Sequence, residues 1–435
     1  MSIDKDEPQD EIIQIPTQFE AFKVWLKIGL LSFGGPAAQI ALMHRELVDQ
    51  RRWLNEGQFL NALSFCMLLP GPEAMQLATY AGWRLHKLAG GLVAGILFFL
   101  PGALVIFLLG LLYVYYGEVA LVGYVFMGIK ATVIVIVIEA LLKVSKRALT
   151  HRRYWVVAGI AFIAIFFFAV PFPIIVISAA LFGFWQSSTD QTNLASDKHG
   201  VSFGQTMLTT LIWLLVWWIP LLLLIGLTGN EFYSEVALFF SRLAVVTFGG
   251  AYAVLAYLGQ DVVVGFGWLS AGEMMDGLGL AETTPGPLIL VNEFVGFLAG
   301  FRQGGLEYAV VATLITLWAT FVPCFMWIFV GAPYVDWMSN QPRLTGAMTA
   351  ITAAVVGVIL NLSIWFALHV LFSDVSRQEI GPLVLWNPEV SSIQWMVLSL
   401  TCLSAILLLR LHWGITRVLL VSGLLAIFIS SGQNL

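Results

Sequence analysis

Lys27-Ile28-Gly29-Leu30-Leu31-Ser32-Phe33-Gly34-Gly35-Pro36 runs an apolar helix into a glycine–proline break, and the chain does this twice. Phe33-Gly34-Gly35 returns as Phe248-Gly249-Gly250, Trp53-Leu54 as Trp268-Leu269, and Pro70-Gly71-Pro72 as Pro285-Gly286-Pro287. The spacings agree: 248 − 33, 268 − 53 and 285 − 70 are all 215. Lys27 with Arg242, and Glu46 with Asp261, keep the same register. Self-similarity at one fixed offset marks a duplicated unit. The chain therefore reads as a first repeat at 19–186 and a second at 234–435. A linker at 187–233 joins them and holds one further apolar helix, near 203–226. Residues 1–18 read as a cytoplasmic tail, acidic and polar, without the basic and apolar regions of a signal peptide.

Of the 435 residues, 59% are hydrophobic and 11% charged, against about 25% charged in a soluble domain. That leaves too little polar surface for a water-soluble particle of this length. Apolar runs of about 18 or more residues recur, each long enough for a transmembrane helix. Sixteen Trp suit the interfacial belts. Cys66, Cys324 and Cys402 do not pair by spacing, and the six His do not cluster. Neither a disulfide framework nor a metal site is expected, and no cofactor. No nucleotide-binding loop or nucleophile constellation stands out, which argues against an enzyme and against an ATP-driven pump. The expected partners are the lipid bilayer and a small ion, not nucleic acid, and a homodimer stays open.

Charge placement orients the halves. The loop 44–56 carries Arg45, Arg51 and Arg52, while its counterpart 259–271 carries no Lys or Arg and holds Asp261. Cytoplasmic loops are enriched in Lys and Arg. The same motif then faces opposite sides in the two halves, the signature of an inverted repeat. The glycine breaks read as ends of re-entrant pairs: 19–33 with 36–47, 57–69 with 73–86, 235–248 with 251–259, and 271–283 with 287–300. Four full crossings per half plus the linker helix make nine. The chain starts in the cytoplasm and ends outside a bacterial inner membrane, with the basic stretch Lys143, Lys146, Arg147, Arg152 and Arg153 inside as a topology determinant. The expected fold is an all-α integral membrane protein of two homologous, inverted halves, with broken helices meeting near the midplane.

Broken backbone at bilayer depth is tolerated only where it is buried in protein or lines a cavity. Pro36, Pro72 and Pro287 suit the first turn of a following helix. Helices starting near 36, 72, 251 and 287 would each aim an N-terminus, with its free N–H donors and partial positive charge, at one point, which suits an anion. The alternative is that the small residues only allow close packing. Lys27 and Arg242 each lie seven residues before a break, and a cation at that depth is a functional candidate. Snorkelling to the headgroups is the alternative for Lys27. The hydroxyls of Ser32, Thr247, Thr283 and Thr284 either donate to an oxyanion or bond their own helix. Glu73 and Glu282, beside the breaks, are proton-coupling candidates or ion-pair partners.

With Arg52-Trp53-Leu54, Pro70-Gly71-Pro72 and the Gly90–Pro101 helix, the opening stretch resembles the chromate ion transporter (CHR) family. Phe248-Gly249-Gly250, Trp268-Leu269 and Thr284-Pro285-Gly286-Pro287 resemble that family's second domain, so nearly the whole chain is covered, as in the long two-domain type. The resemblance implies secondary export of chromate from the cytoplasm, driven by membrane potential or a proton gradient, giving chromate resistance, with sulfate as a related ligand. It carries over Lys27, Gly34, Gly35, Pro36, Pro70, Gly71 and Pro72, with Arg242, Gly249, Gly250, Pro285, Gly286 and Pro287, as motif positions. The alternatives are an importer or exchanger of sulfate or a relative, and an anion channel whose filter is the glycine breaks.

Overall fold

The structure is a computed structural model and describes residues 16–117, 119–187, 203–248, 251–335, 338 and 341–433. Most of the tail, part of the linker, and Gly249 and Gly250 lie outside the described residues. Of the described residues, 84% are helical.

Four short helices open each half. They are α1 (Gln18–Leu31), α2 (Gly35–His44), α3 (Glu56–Leu68) and the first part of α4 (Glu73–Tyr116) in half one. Half two has α9 (Glu231–Val246), α10 (Ala251–Gln260), α11 (Ala271–Thr283) and the first part of α12 (Val291–Gly331). Three long or paired segments follow in each: α5 (Ala120–Ala148), α6 (Arg152–Phe168) and α7 (Phe172–Gln186), then α13 (Pro342–Leu371), α14 (Trp395–Ala405) and α15 (Ile415–Gln433). Only α8 (Phe203–Thr228) has no counterpart among the described residues. It buries only Trp217 and Leu221 and turns an otherwise apolar surface outward, a surface suited to lipid and not to water.

The repeat holds at the level of single hydrogen bonds. Side chains cap α3 and α11 with the same box, Asn55 with Gln58 and Ser270 with Glu273. Trp53 N donates to Leu47 O at 2.8 Å, and Trp268 N to Val262 O at 2.9 Å. Ser32 Oγ donates to Ile28 O, and Thr247 Oγ1 to Leu243 O. Each pair is one interaction repeated at the offset of 215 read from the sequence.

Both long helices are divided. α4 has 44 residues, which at 1.5 Å per residue would span about 66 Å, twice a hydrocarbon core of about 30 Å. It breaks at His86 and Lys87, and α12 breaks at Gly304 and Gly305. After these breaks the offset grows: Pro101 and Pro323 sit inside equivalent segments, as do the starts of α5 and α13, and 323 − 101 and 342 − 120 are both 222. Among the described residues, five helical segments are long and apolar enough to cross a membrane. The helical class holds with one addition the sequence reading lacked, an antiparallel hairpin of β1 (Val375–Ile380) and β2 (Leu383–Pro388) between α13 and α14.

Candidate functional site

Two helix breaks meet across the halves. Gly71 N donates to Thr247 O at 2.8 Å, and Gly286 N donates to Ser32 O at 2.9 Å. The second bond is the first with the halves exchanged, the reciprocity expected of a two-fold-related contact. Gly71 (φ +122°) and Gly286 (φ +97°) take backbone conformations that L side chains rarely adopt. A Cβ on Gly71 would also lie 2.8 Å from Cys324 Sγ. Pro70 and Pro72 on one side, and Pro285 and Pro287 on the other, frame these crossings. Gln39 ties them together, its amide donating to Ser32 O at 3.2 Å and Gly286 O at 2.7 Å.

The helix starts that open each half divide into two kinds. Those of α1, α3, α9 and α11 are capped by the side chains of Thr17, Asn55, Asn230 and Ser270. Those of α2, α4 and the 3₁₀ turn leading into α12, which follow Gly34, Pro72 and Pro287, have no side-chain cap. Uncapped N–H donors are costly when buried and are where an anion is stabilised. Within these opening groups the uncapped starts are the ones at the breaks; α5, α6, α7, α13 and α14 lack a side-chain cap too, but do not start at a glycine–proline break.

A cavity of about 160 Å³ opens at the first break, lined by Gly34, Gly35, Pro36 and Glu73. Its far wall is α5, which contributes Glu139, Lys143 and Arg147, while Tyr252 enters from half two. Spacings of four residues set these three α5 groups on one helix face. Lys143 pairs with Glu139 at 2.6 Å, and Tyr252 Oη donates to Glu282 Oε1 at 2.7 Å. Glu282, 6% exposed, thus stands behind the tyrosine, one residue before Thr283. The cavity combines free helix starts, two cations and two acids within reach of solvent.

The expected site residues divide. Gly34, Gly35, Pro36 and Glu73 line the cavity; Pro70, Gly71, Pro72, Pro285, Gly286 and Pro287 build the crossing beneath it. The hydroxyls do not offer their protons: Ser32, Thr247, Thr283 and Thr284 all donate to carbonyls of their own helices. Lys27 does not line the cavity. Its Nζ sits 2.7 Å from Glu46 Oε1, and Arg51 holds the other oxygen at 2.5 Å. Burial alone would raise the Glu46 carboxyl, but the Lys27 hydrogen bond and the Arg51 charge outweigh it and hold it below its ordinary value. Arg242 lies on the exposed face of α9 and likewise lines no part of this cavity. Sequence reasoning missed Glu139, Lys143, Arg147 and Tyr252. The i, i+4, i+8 spacing of the three α5 groups was the available signal.

The sequence matches the Chromate transporter profile over residues 19–184 and 234–428. The chain belongs to the Chromate transporter family. Among relatives, the chromate transport protein of Pseudomonas aeruginosa is 31% identical over 348 residues, 78% of this chain and 79% of that protein. The chromate transport protein of Cupriavidus metallidurans is 29% identical over 354 residues, 79% of this chain and 81% of that one. No solved structure matches. Membership of the Chromate transporter family and the apolar helices together make this a multi-pass membrane protein and a transporter by family. The two matched stretches leave out α8.

Proposed function

We propose that this protein exports chromate from the cytoplasm and so confers resistance, with the anion bound where the uncapped starts of α2 and α4 face Lys143 and Arg147. That meeting of free N–H donors and two cations in one cavity is the observation that carries the reading. The cavity lies at the basic end of α5, beside the cation-rich stretch 143–153, which favours a cytoplasmic mouth. Inverted halves, a cytoplasmic N-terminus and an outward C-terminus belong to the same reading. The odd helix α8 and the absence of Lys and Arg from 259–271 support it.

A dianion leaving a cell that is negative inside gains about 4.6 kcal/mol per 100 mV, at about 2.3 per charge. The potential alone can drive export. Glu73 and Glu282 are the proposed proton carriers at the cavity, and Lys27 and Arg242 act as supports for the helices leading into the breaks.

Radiolabelled chromate uptake into inside-out vesicles tests this, with wild type against Lys143→Ala and Arg147→Ala and sulfate as competitor. Uptake driven by an inside-positive potential and lost in both variants is the expected result. Sulfate flux without chromate flux in the wild type overturns the substrate. Unchanged uptake in both variants overturns the site.

A further inference from the structure

Lys130 and Asp276 form an ion pair that joins the halves away from the cavity. Lys130 is on α5 and Asp276 on α11, with Nζ 3.2 Å from Oδ2. Tyr113 on α4 donates to the same oxygen at 2.9 Å. The other oxygen, Oδ1, is buried and has no partner. The Asp276 side chain is 3% exposed and that of Lys130 29%, so only the cation can be reached from outside the pair. Gly272, one turn before Asp276, leaves room for the ammonium: a Cβ there would lie 3.2 Å from Lys130 Nζ.

The repeat says that this charge is not needed for packing. At the offsets of 215 and 222, the counterparts of Asp276, Lys130 and Tyr113 are Asn61, Thr352 and Val335, none of them charged. The pair therefore exists on one side of the molecule only. It is thirteen residues along α5 from Lys143, about 20 Å at 1.5 Å per residue. Stripping a buried carboxylate of its cation leaves an uncompensated charge, which the group relieves by binding a proton.

We propose that Lys130 is a further oxyanion-binding cation, apart from Lys143 and Arg147 and masked by Asp276 in this conformation, and that the dianion takes Lys130 as Asp276 takes up one proton. The exchange is balanced: ammonium–carboxylate pair, dianion and proton become ammonium–dianion pair and carboxylic acid. One dianion then moves with one proton, and on this route the potential acts on one net charge, about 2.3 kcal/mol per 100 mV instead of about 4.6. The groups around Asp276 that bear on this are few. Lys130 faces it from α5, Tyr113 from α4, and Glu273 from its own helix, itself held by Arg302 of α12. The α13 and α15 helices, which also pack against α11, carry no acid or base over residues 344–368 and 418–433.

This inference rests on the reading of the protein as a chromate transporter, and one experiment separates the two. The full chain is reconstituted in liposomes and chromate accumulation is measured, first with a potential alone, then with a proton gradient at a clamped zero potential. Wild type is expected to accumulate chromate in both. Asp276→Asn, nearly the same shape, should keep the first and lose the second. Lys130→Gln should raise KM about tenfold, the scale of one charge-assisted contact. Lys130→Arg should restore it, and the double variant Lys130→Gln/Asp276→Asn should not recover wild-type KM. Proton-driven accumulation by Asp276→Asn, or recovery in the double variant, makes the pair a packing contact and overturns the inference. Potential-driven flux in wild type without any proton-driven accumulation overturns it too and leaves the transporter standing. No chromate flux in wild type overturns the transporter reading itself.

Discussion

Equivalent positions on one helix of each half line two recesses of opposite character. In half one, Glu139, Ala140 and Lys143 of α5 line an open, charged cavity of about 160 Å³. In half two, the equivalent positions on α13 are Asn361, Leu362 and Trp365, and they line a recess of only about 40 Å³. The hairpin closes it. Trp386 of β2 packs edge-on against Trp365 and His369, with centroids 6.4 Å and 5.2 Å away, and Arg377 of β1 joins the lining. Equivalent positions on α5 and α13 thus line a charged recess in one half and an aromatic one in the other. Under the proposed function, the charged recess is where the anion enters, and the aromatic one is closed to it.

Making half one resemble half two should cost most. Lys143→Trp removes a cation from the cavity and fills it with a ring. Losing a hydrogen bond to a charged partner, about 3 kcal/mol, corresponds to about a hundredfold loss of chromate affinity. Binding of chromate to the purified protein measures it. The reverse exchange, Trp365→Lys, should leave affinity near wild type, because α13 has His369 where α5 has Arg147 and the hairpin covers it.

Breaking the crossing itself should come next. Gly71→Ala and Gly286→Ala each force a left-handed backbone on a side chain, at a cost of about 1–3 kcal/mol. Gly71→Ala should be the worse of the two, since its Cβ meets Cys324 Sγ at 2.8 Å whereas at Gly286 the nearest atom is 3.0 Å away. Thermal unfolding in detergent reads both.

How much of this was legible in the sequence follows from what is local. Glycine and proline breaks act on their own backbone, so Gly34, Gly71 and Gly286 announced the architecture without any partner. The offset carried that information to the second half. The cavity wall was not local: which face of α5 turns inward is decided by α11, α13 and α15 packing against it, so Lys143 and Arg147 looked like a loop's topology signal. The ion pair of Lys27 was not legible either: its partner, Glu46, is nineteen residues on, inside the π-helical turn Arg45–Gln50. The hairpin was invisible because Val375–Pro388 is short, and its purpose depends on Trp365, ten residues before it.

Loosening the plug is a smaller effect. Trp386→Ala removes two ring contacts worth about 0.5–1.5 kcal/mol each. A membrane-impermeant maleimide should then label Asn361→Cys several times faster than with the hairpin intact, in a Cys402→Ser background since Cys402 is exposed. Equal rates would mean that the hairpin does not seal the recess.

The smallest effect concerns the surface of half one, where His44 bonds Glu56 at 2.7 Å. At the offset of 215 their counterparts are Gly259 and Ala271, so half two cannot build this pair. The Glu56 hydrogen bond raises the His44 imidazole above its ordinary value, with Asp49 adding to it. A raised value means that the contribution to stability is present at low pH and fades as pH rises through the folded value. The unfolding temperature of wild type should fall slightly from about pH 6 to pH 8, and His44→Gln should flatten that slope.

Export as proposed requires the anion to sit at the uncapped helix starts. Chromium anomalous scattering from crystals of the protein grown with chromate tests this most directly. The expected result is a peak within hydrogen-bonding distance of the first-turn amides of α2 or α4 and facing Lys143 and Arg147. A peak beside Lys27 and Glu46, with nothing at the breaks, would contradict it.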